Sequence, residues 1–148
     1  MSLREQLTDA QKDAMRAKDK PRLGTLRLAL AAIKQVEVDE RRELSDDDII
    51  AIITKMIKQR RDSISQYEAA GRQELADAEA GEIVVLQDFL PKQLSSDEVA
   101  ALIAQAISET GAASPADMGK VMGWLKPKLQ GRAEMGPISG QVKAKLSA

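Results

Sequence analysis

Apolar residues return every third or fourth position along almost the whole chain. No stretch alternates apolar with polar in the manner of a half-buried strand, so the pattern predicts helices throughout. The first follows Ser2, a residue placed to cap it, and carries Leu3, Leu7, Ala10 and Ala14 on one face. Asp19-Lys20-Pro21 interrupts the pattern, and Pro21 suits the first turn of the next helix, where an N–H has no partner to lose. That second helix shows Leu23, Leu26, Leu30 and Ile33, while residues 36–44 read as a solvated end and a loop. Ser45 caps a third helix whose first turn holds Asp46, Asp47 and Asp48, where the helix dipole favours negative charge. Its apolar stripe is Ile49, Ile53, Met56, Ile57, Ile64 and Tyr67, and Gly71 stops it. A fourth helix runs from about Arg72 to Leu90, where Pro91 denies the next turn a donor.

Beyond Pro91 the start signals repeat. Ser95 and Glu98 form a capping box before Val99, Leu102, Ile103, Ala106 and Ile107, and Gly111 ends that helix. Ser114-Pro115 opens a sixth helix that Pro127 must kink or finish, and Gly136-Pro137 opens a last one with Ile138, Val142 and Leu146. The expectation is an all-α chain in two parts. Residues 1–92 form a multi-helix unit with a long helical hairpin, and residues 93–148 form a small three-helix bundle. A single aliphatic core of the second part's size is marginal, which predicts that it rests against a partner or the first unit.

Composition narrows the chemistry. Cysteine and histidine are both absent, which removes thiol nucleophiles, disulfides, imidazole acid–base catalysis and the usual zinc and haem ligands. Aromatics are only Tyr67, Phe89 and Trp124, so the core must be aliphatic and stacking of bases on aromatic platforms is largely unavailable. The net charge is −1, with a basic excess gathered towards the carboxy-terminal end. No apolar run is long enough to cross a membrane and no charged-then-apolar leader opens the chain, from which a cytosolic protein is expected. No cofactor is implied.

Two constellations stand out. Gly119 and Gly123 lie one turn apart in the sixth helix, offering bare backbone for close approach, with Val121, Met122 and Leu125 as apolar contacts. Lys120, Lys126, Lys128 and Arg132 surround them, and Lys143 and Lys145 follow in the last helix; such cations suit a phosphate backbone or an acidic protein. The second constellation is Lys58, Arg60 and Arg61 with Glu79 and Glu82, either an anion site or a set of interhelical salt bridges. Glu79 and Glu82 can also be read as an acid–base pair. The acidic triplet at 46–48 lacks the glycine and distal glutamate of a calcium loop and is read as a helix start.

With those residues in view, the chain resembles the YqeY family, and its carboxy-terminal part resembles the GatB tail domain of the tRNA-dependent aspartyl/glutamyl amidotransferase. The resemblance is carried by Lys55-Met-Ile-Lys58-Gln-Arg60-Arg61-Asp-Ser-Ile, Ala70-Gly-Arg72, Phe89-Leu-Pro-Lys-Gln-Leu94, and Asp117-Met-Gly-Lys-Val-Met122 running on to Gly131-Arg132. One departure is Glu134-Met-Gly-Pro137, where relatives more often show an acidic residue followed by glycine and a basic residue. The resemblance implies a tRNA-contacting helical module without catalysis of its own, since nothing here is similar to the amidotransferase's catalytic body. Two other readings stay open. One is an adaptor docking through residues 119–129 onto an amidotransferase or a synthetase. The other is a carbon–nitrogen ligase using glutamine as amido donor.

Overall fold

The computed structural model describes residues 2–147, and among them every regular element is helical. The chain divides into two compact units, Met1–Leu90 and Pro91–Ala148.

The first unit holds α1 (Leu3–Arg16), α2 (Lys20–Glu40), α3 (Asp46–Ala69) and α4 (Gln73–Gln87). The helix starts follow local chemistry. Ser2 accepts from the Glu5 N–H, Asp19 accepts from the Arg22 N–H with Pro21 in the first turn, and Ser45 and Asp48 close a capping box. Gly71, at φ 72°, takes the left-handed turn after α3 that a side chain would resist. Leu7, Leu26, Ile33, Ile53 and Leu86 are wholly buried, and the surrounding core is aliphatic apart from Phe89. α3 packs on α4, and α2 packs on α1, α3 and α4.

Two boundaries differ from the expectation. α2 runs to Glu40, well into the stretch 36–44 read as a solvated end and a loop, and Glu37 fastens its last turn: it accepts from the Leu44 N–H at 3.1 Å and pairs with Arg4 of α1. The Leu44 N–H and Arg4 together hold the Glu37 carboxyl below its ordinary value. α4 ends at Gln87, three residues earlier than the spacing predicts. There the tighter bonds Phe89 N–H to Leu86 and Leu90 N–H to Gln87, both 3.1 Å, replace the α-helical pattern and leave Phe89 in the core.

The second unit holds α5 (Ser96–Thr110), a single 3₁₀ turn (Pro115–Asp117), α6 (Met118–Leu129) and α7 (Met135–Ser147). Ser95 and Glu98 close the capping box, and Gly111 at φ 68° ends α5. Asp117 accepts from the backbone N–H groups of Ala113 and Ser114, which hold its carboxyl below the usual range. Val99, Ile103 and Ala106 from α5, Val121, Leu125 and Leu129 from α6, and Ile138, Val142 and Leu146 from α7 make one core. Across it, Leu94 N–H donates to the Arg132 carbonyl at 2.9 Å and the Gln93 side chain donates to Gly131 at 2.7 Å.

Candidate nucleic-acid interface

α6 divides into rows, because residues four apart share a face. Val121, Leu125 and Leu129 form the inward row, each at 0% exposure. The sequence spacing offers Val121 and Leu125 as apolar contacts of a docking stripe; they fill the unit's own core instead. The opposite row is Gly119, Gly123 and Pro127, all exposed, so the outward surface of the helix carries no long side chain. A Cβ added at Gly119 or Gly123 would meet nothing within 4 Å. The fold therefore makes no demand for glycine at either place, although each lowers helix stability by about 1 kcal/mol relative to alanine. Pro127 adds to the same row: it has no N–H to give the Gly123 carbonyl, which loses its ordinary partner one turn on.

Two further rows border this strip. On one side stand Lys120, Trp124 and Lys128, on the other Met118, Met122 and Lys126. The Lys128 ammonium sits 3.8 Å from the centroid of the Trp124 ring, and the indole N–H donates to Glu109 of α5 at 3.0 Å, which fixes the ring. Lys120 reaches Asp117 at a loose 3.9 Å with 70% of its side chain exposed, so its charge faces solvent. Lys126 is exposed, with no ion pair among the described residues. Trp124 is absent from the residues that the spacing singles out, although lysines stand four residues to either side of it.

The remaining predicted cations separate. Arg132 is half-buried, and its Nε donates to the Lys92 carbonyl at 3.4 Å, so it ties the segment before α5 to the turn after α6. It also lines a hollow of about 210 Å³ with Ser96, Glu134 and Gln141. Lys143 and Lys145 are both exposed on α7, but two residues apart on a helix means nearly opposite flanks, so at most one of them can join a surface shared with α6.

In the first unit, Arg60 is 13% exposed and bridges α3 to α4 through Glu82 at 2.8 Å, while its Nη1 donates to the Met56 carbonyl at 3.2 Å. Glu82 is thereby committed to Arg60. Lys58 is exposed on α3 and Glu79 half-buried on α4. Two of the acidic triplet are used in the fold: Asp46 accepts from the Leu3 N–H at 3.0 Å, and Asp48 holds Ser45 and Arg42. Among the described residues no three acidic side chains converge as a metal site, and no helix is long and apolar enough to cross a membrane.

Among the described residues every regular element is helical, and the exposed Gly119–Gly123–Pro127 row is bordered by cations. Residues 4–146 match the family described as Yqey-like protein, and the chain belongs to the YqeY family. Among its relatives, a Kluyveromyces lactis protein named altered inheritance of mitochondria protein 41, mitochondrial, is 30% identical over 93% of this chain and 72% of its own length. Proteins of the same name are 31% identical in Pyrenophora tritici-repentis, over 82% of this chain and 68% of theirs, and 28% identical in Lachancea thermotolerans, over 88% and 74%. These names overturn the cytosolic location expected above. That expectation rested on the residue pattern of the amino-terminal stretch, which does not report a compartment.

Proposed function

We propose that Pro91–Ala148 is a tRNA-contacting module without catalysis of its own, carried on an amino-terminal unit built around the α3–α4 hairpin, with α5, α6 and α7 as a three-helix bundle. The observation that carries this reading is the Gly119–Gly123–Pro127 row, exposed, unneeded by the fold and bordered by Lys120 and Lys126. A sugar–phosphate chain can lie against such a strip at backbone distance. The Gly123 carbonyl, without its helical partner, is an acceptor for a ribose 2′-hydroxyl, the group that separates RNA from DNA. Burial of Val121 and Leu125 leaves Met122 as the one apolar contact of that set still partly exposed, which supports RNA over a protein as the occupant. The resemblance to the amidotransferase tail points the same way.

Binding to bulk tRNA across a salt series tests the reading. Each phosphate contact contributes about 0.7–0.9 to the slope of log K against log salt, so Lys120→Ala with Lys126→Ala is expected to flatten the slope by about 1.4–1.8. No binding at low salt overturns it. The glycines give a second, opposed pair of readouts. Gly119→Ala and Gly123→Ala are each expected to raise stability by about 0.5–1 kcal/mol in thermal or denaturant unfolding while weakening tRNA binding. Stabilisation with affinity unchanged removes the close-approach role.

A further inference from the structure

A groove of about 460 Å³ lies between α2 and α3 in the first unit. Its floor is Ala32 and Val36 from α2 with Ile52 and Met56 from α3. One end is acidic: Arg42 is bound by both Asp48, at 2.9 Å, and Glu40, at 3.1 Å, so two carboxylates share one guanidinium. The other end carries Lys55, which is exposed and makes no ion pair or hydrogen bond among the described residues, next to Gln59. Asp48 and Lys55 stand seven residues apart on α3, two turns or roughly 10 Å. The groove is therefore apolar along its length and of opposite charge at its two ends.

These features select among occupants. A small ligand would need a central polar group to orient it, whereas the polar lining residues gather at the two ends and the floor between them is apolar. RNA would need a row of cations or an aromatic platform, and the lining provides one free lysine. A helix presents what the groove complements: apolar residues three and four apart for the floor, and flanking charges at two-turn spacing for the ends. We propose that the α2–α3 groove seats an amphipathic helix of a partner protein, with a cation of that helix at Glu40 and Asp48, a carboxylate at Lys55 and aliphatic side chains between them on Ala32, Val36, Ile52 and Met56.

The probe is a stapled helical peptide with lysine and glutamate two turns apart and leucines on the same face between them, titrated into the full chain and followed by amide NMR. The peptide is expected to shift the amides of Ala32, Val36, Ile52 and Met56. Lys55→Glu, an exposed change that leaves the core intact, is expected to weaken it about tenfold or more, since like charges then face each other. A peptide with its glutamate changed to lysine is expected to recover binding to that variant. Absence of shifts at saturating peptide overturns the proposal, as do equal shifts from a peptide lacking both charges. A concentration-dependent dimer in sedimentation that Lys55→Glu abolishes would make a second copy the occupant, and tRNA shifting the same four amides would make the groove an RNA face; either result overturns the partner helix.

Discussion

Leu125→Ala is expected to unfold the carboxy-terminal unit while leaving the first unit folded. Leu125 is at 0% exposure in the middle of the α6 inward row, flanked by Val121 and Leu129, which are also at 0%. Truncating a buried leucine costs about 2–5 kcal/mol, the lost transfer free energy plus the cavity left behind. At about 0.05–0.15 kcal/mol per residue, a unit the size of Pro91–Ala148 holds roughly 3–9 kcal/mol in all, so the substitution removes much of it or the whole. The single tryptophan lies in α6 and the single tyrosine in α3, which allows the two units to be followed separately. Trp124 fluorescence is expected to shift to the exposed value at temperatures where Tyr67 and the α1–α4 amides still report a folded unit. Unchanged Trp124 melting would mean that the α6 core is not the one that holds this unit together.

Acidification is expected to loosen both units. Asp48 is held at about 2, against an ordinary 3.8, by the Arg42 guanidinium and by the backbone and side chain of Ser45. Glu37 is held below its ordinary 4.5 by the Leu44 N–H and Arg4, Glu98 by the Ser95 N–H and hydroxyl, and Asp117 below 3.8 by the Ala113 and Ser114 N–H groups. In each case the folded state favours the ionised form. The stability these groups contribute is present above the unfolded value of about 4 and is lost as pH falls through the lower folded value. Melting temperatures of both units are expected to hold steady above about pH 5 and to drop as pH falls below about 4, the first unit's drop continuing to about 2, where Asp48 takes up its proton. Asp48→Asn should flatten the drop in the first unit and leave the second unchanged. A melting temperature indifferent to pH across that range would show that these caps do not hold the helices.

The helix starts were legible because their causes are local. Ser45 with Asp48 and Ser95 with Glu98 are three residues apart, and the same short spacing that reveals them in the sequence makes the bonds. The end of α2 was not legible. Glu37 is held by the Leu44 N–H, seven positions on, together with Arg4, 33 positions away, and no short window along the chain contains all three. The α6 reading divided in the same way. Spacing grouped Val121 and Leu125 with Gly119 and Gly123 as one docking stripe, because it carries no label for which face meets the unit's own core and which meets solvent. The surrounding α5 and α7 make that choice. The groove between α2 and α3 was invisible for a related reason. Of its floor only Met56 belongs to a stripe that the spacing marks; Ala32 and Ile52 lie outside the stripes, Val36 falls in the stretch read as a solvated end, and only the packing of the two helices leaves a channel between them.

The bond from the Leu3 N–H to Asp46 spans 43 positions, and the pairing of Arg4 with Glu37 spans 33. Both tie the start of α1 to the corner between α2 and α3. During synthesis α1 emerges before α2 and α3, and it can pair with α2 as soon as that helix is complete, but its own first turn stays unfinished until Asp46 has left the ribosome. α1 is thus made before the corner that closes it, and nascent chains stalled before Asp46 emerges should leave it open to protease where longer ones do not.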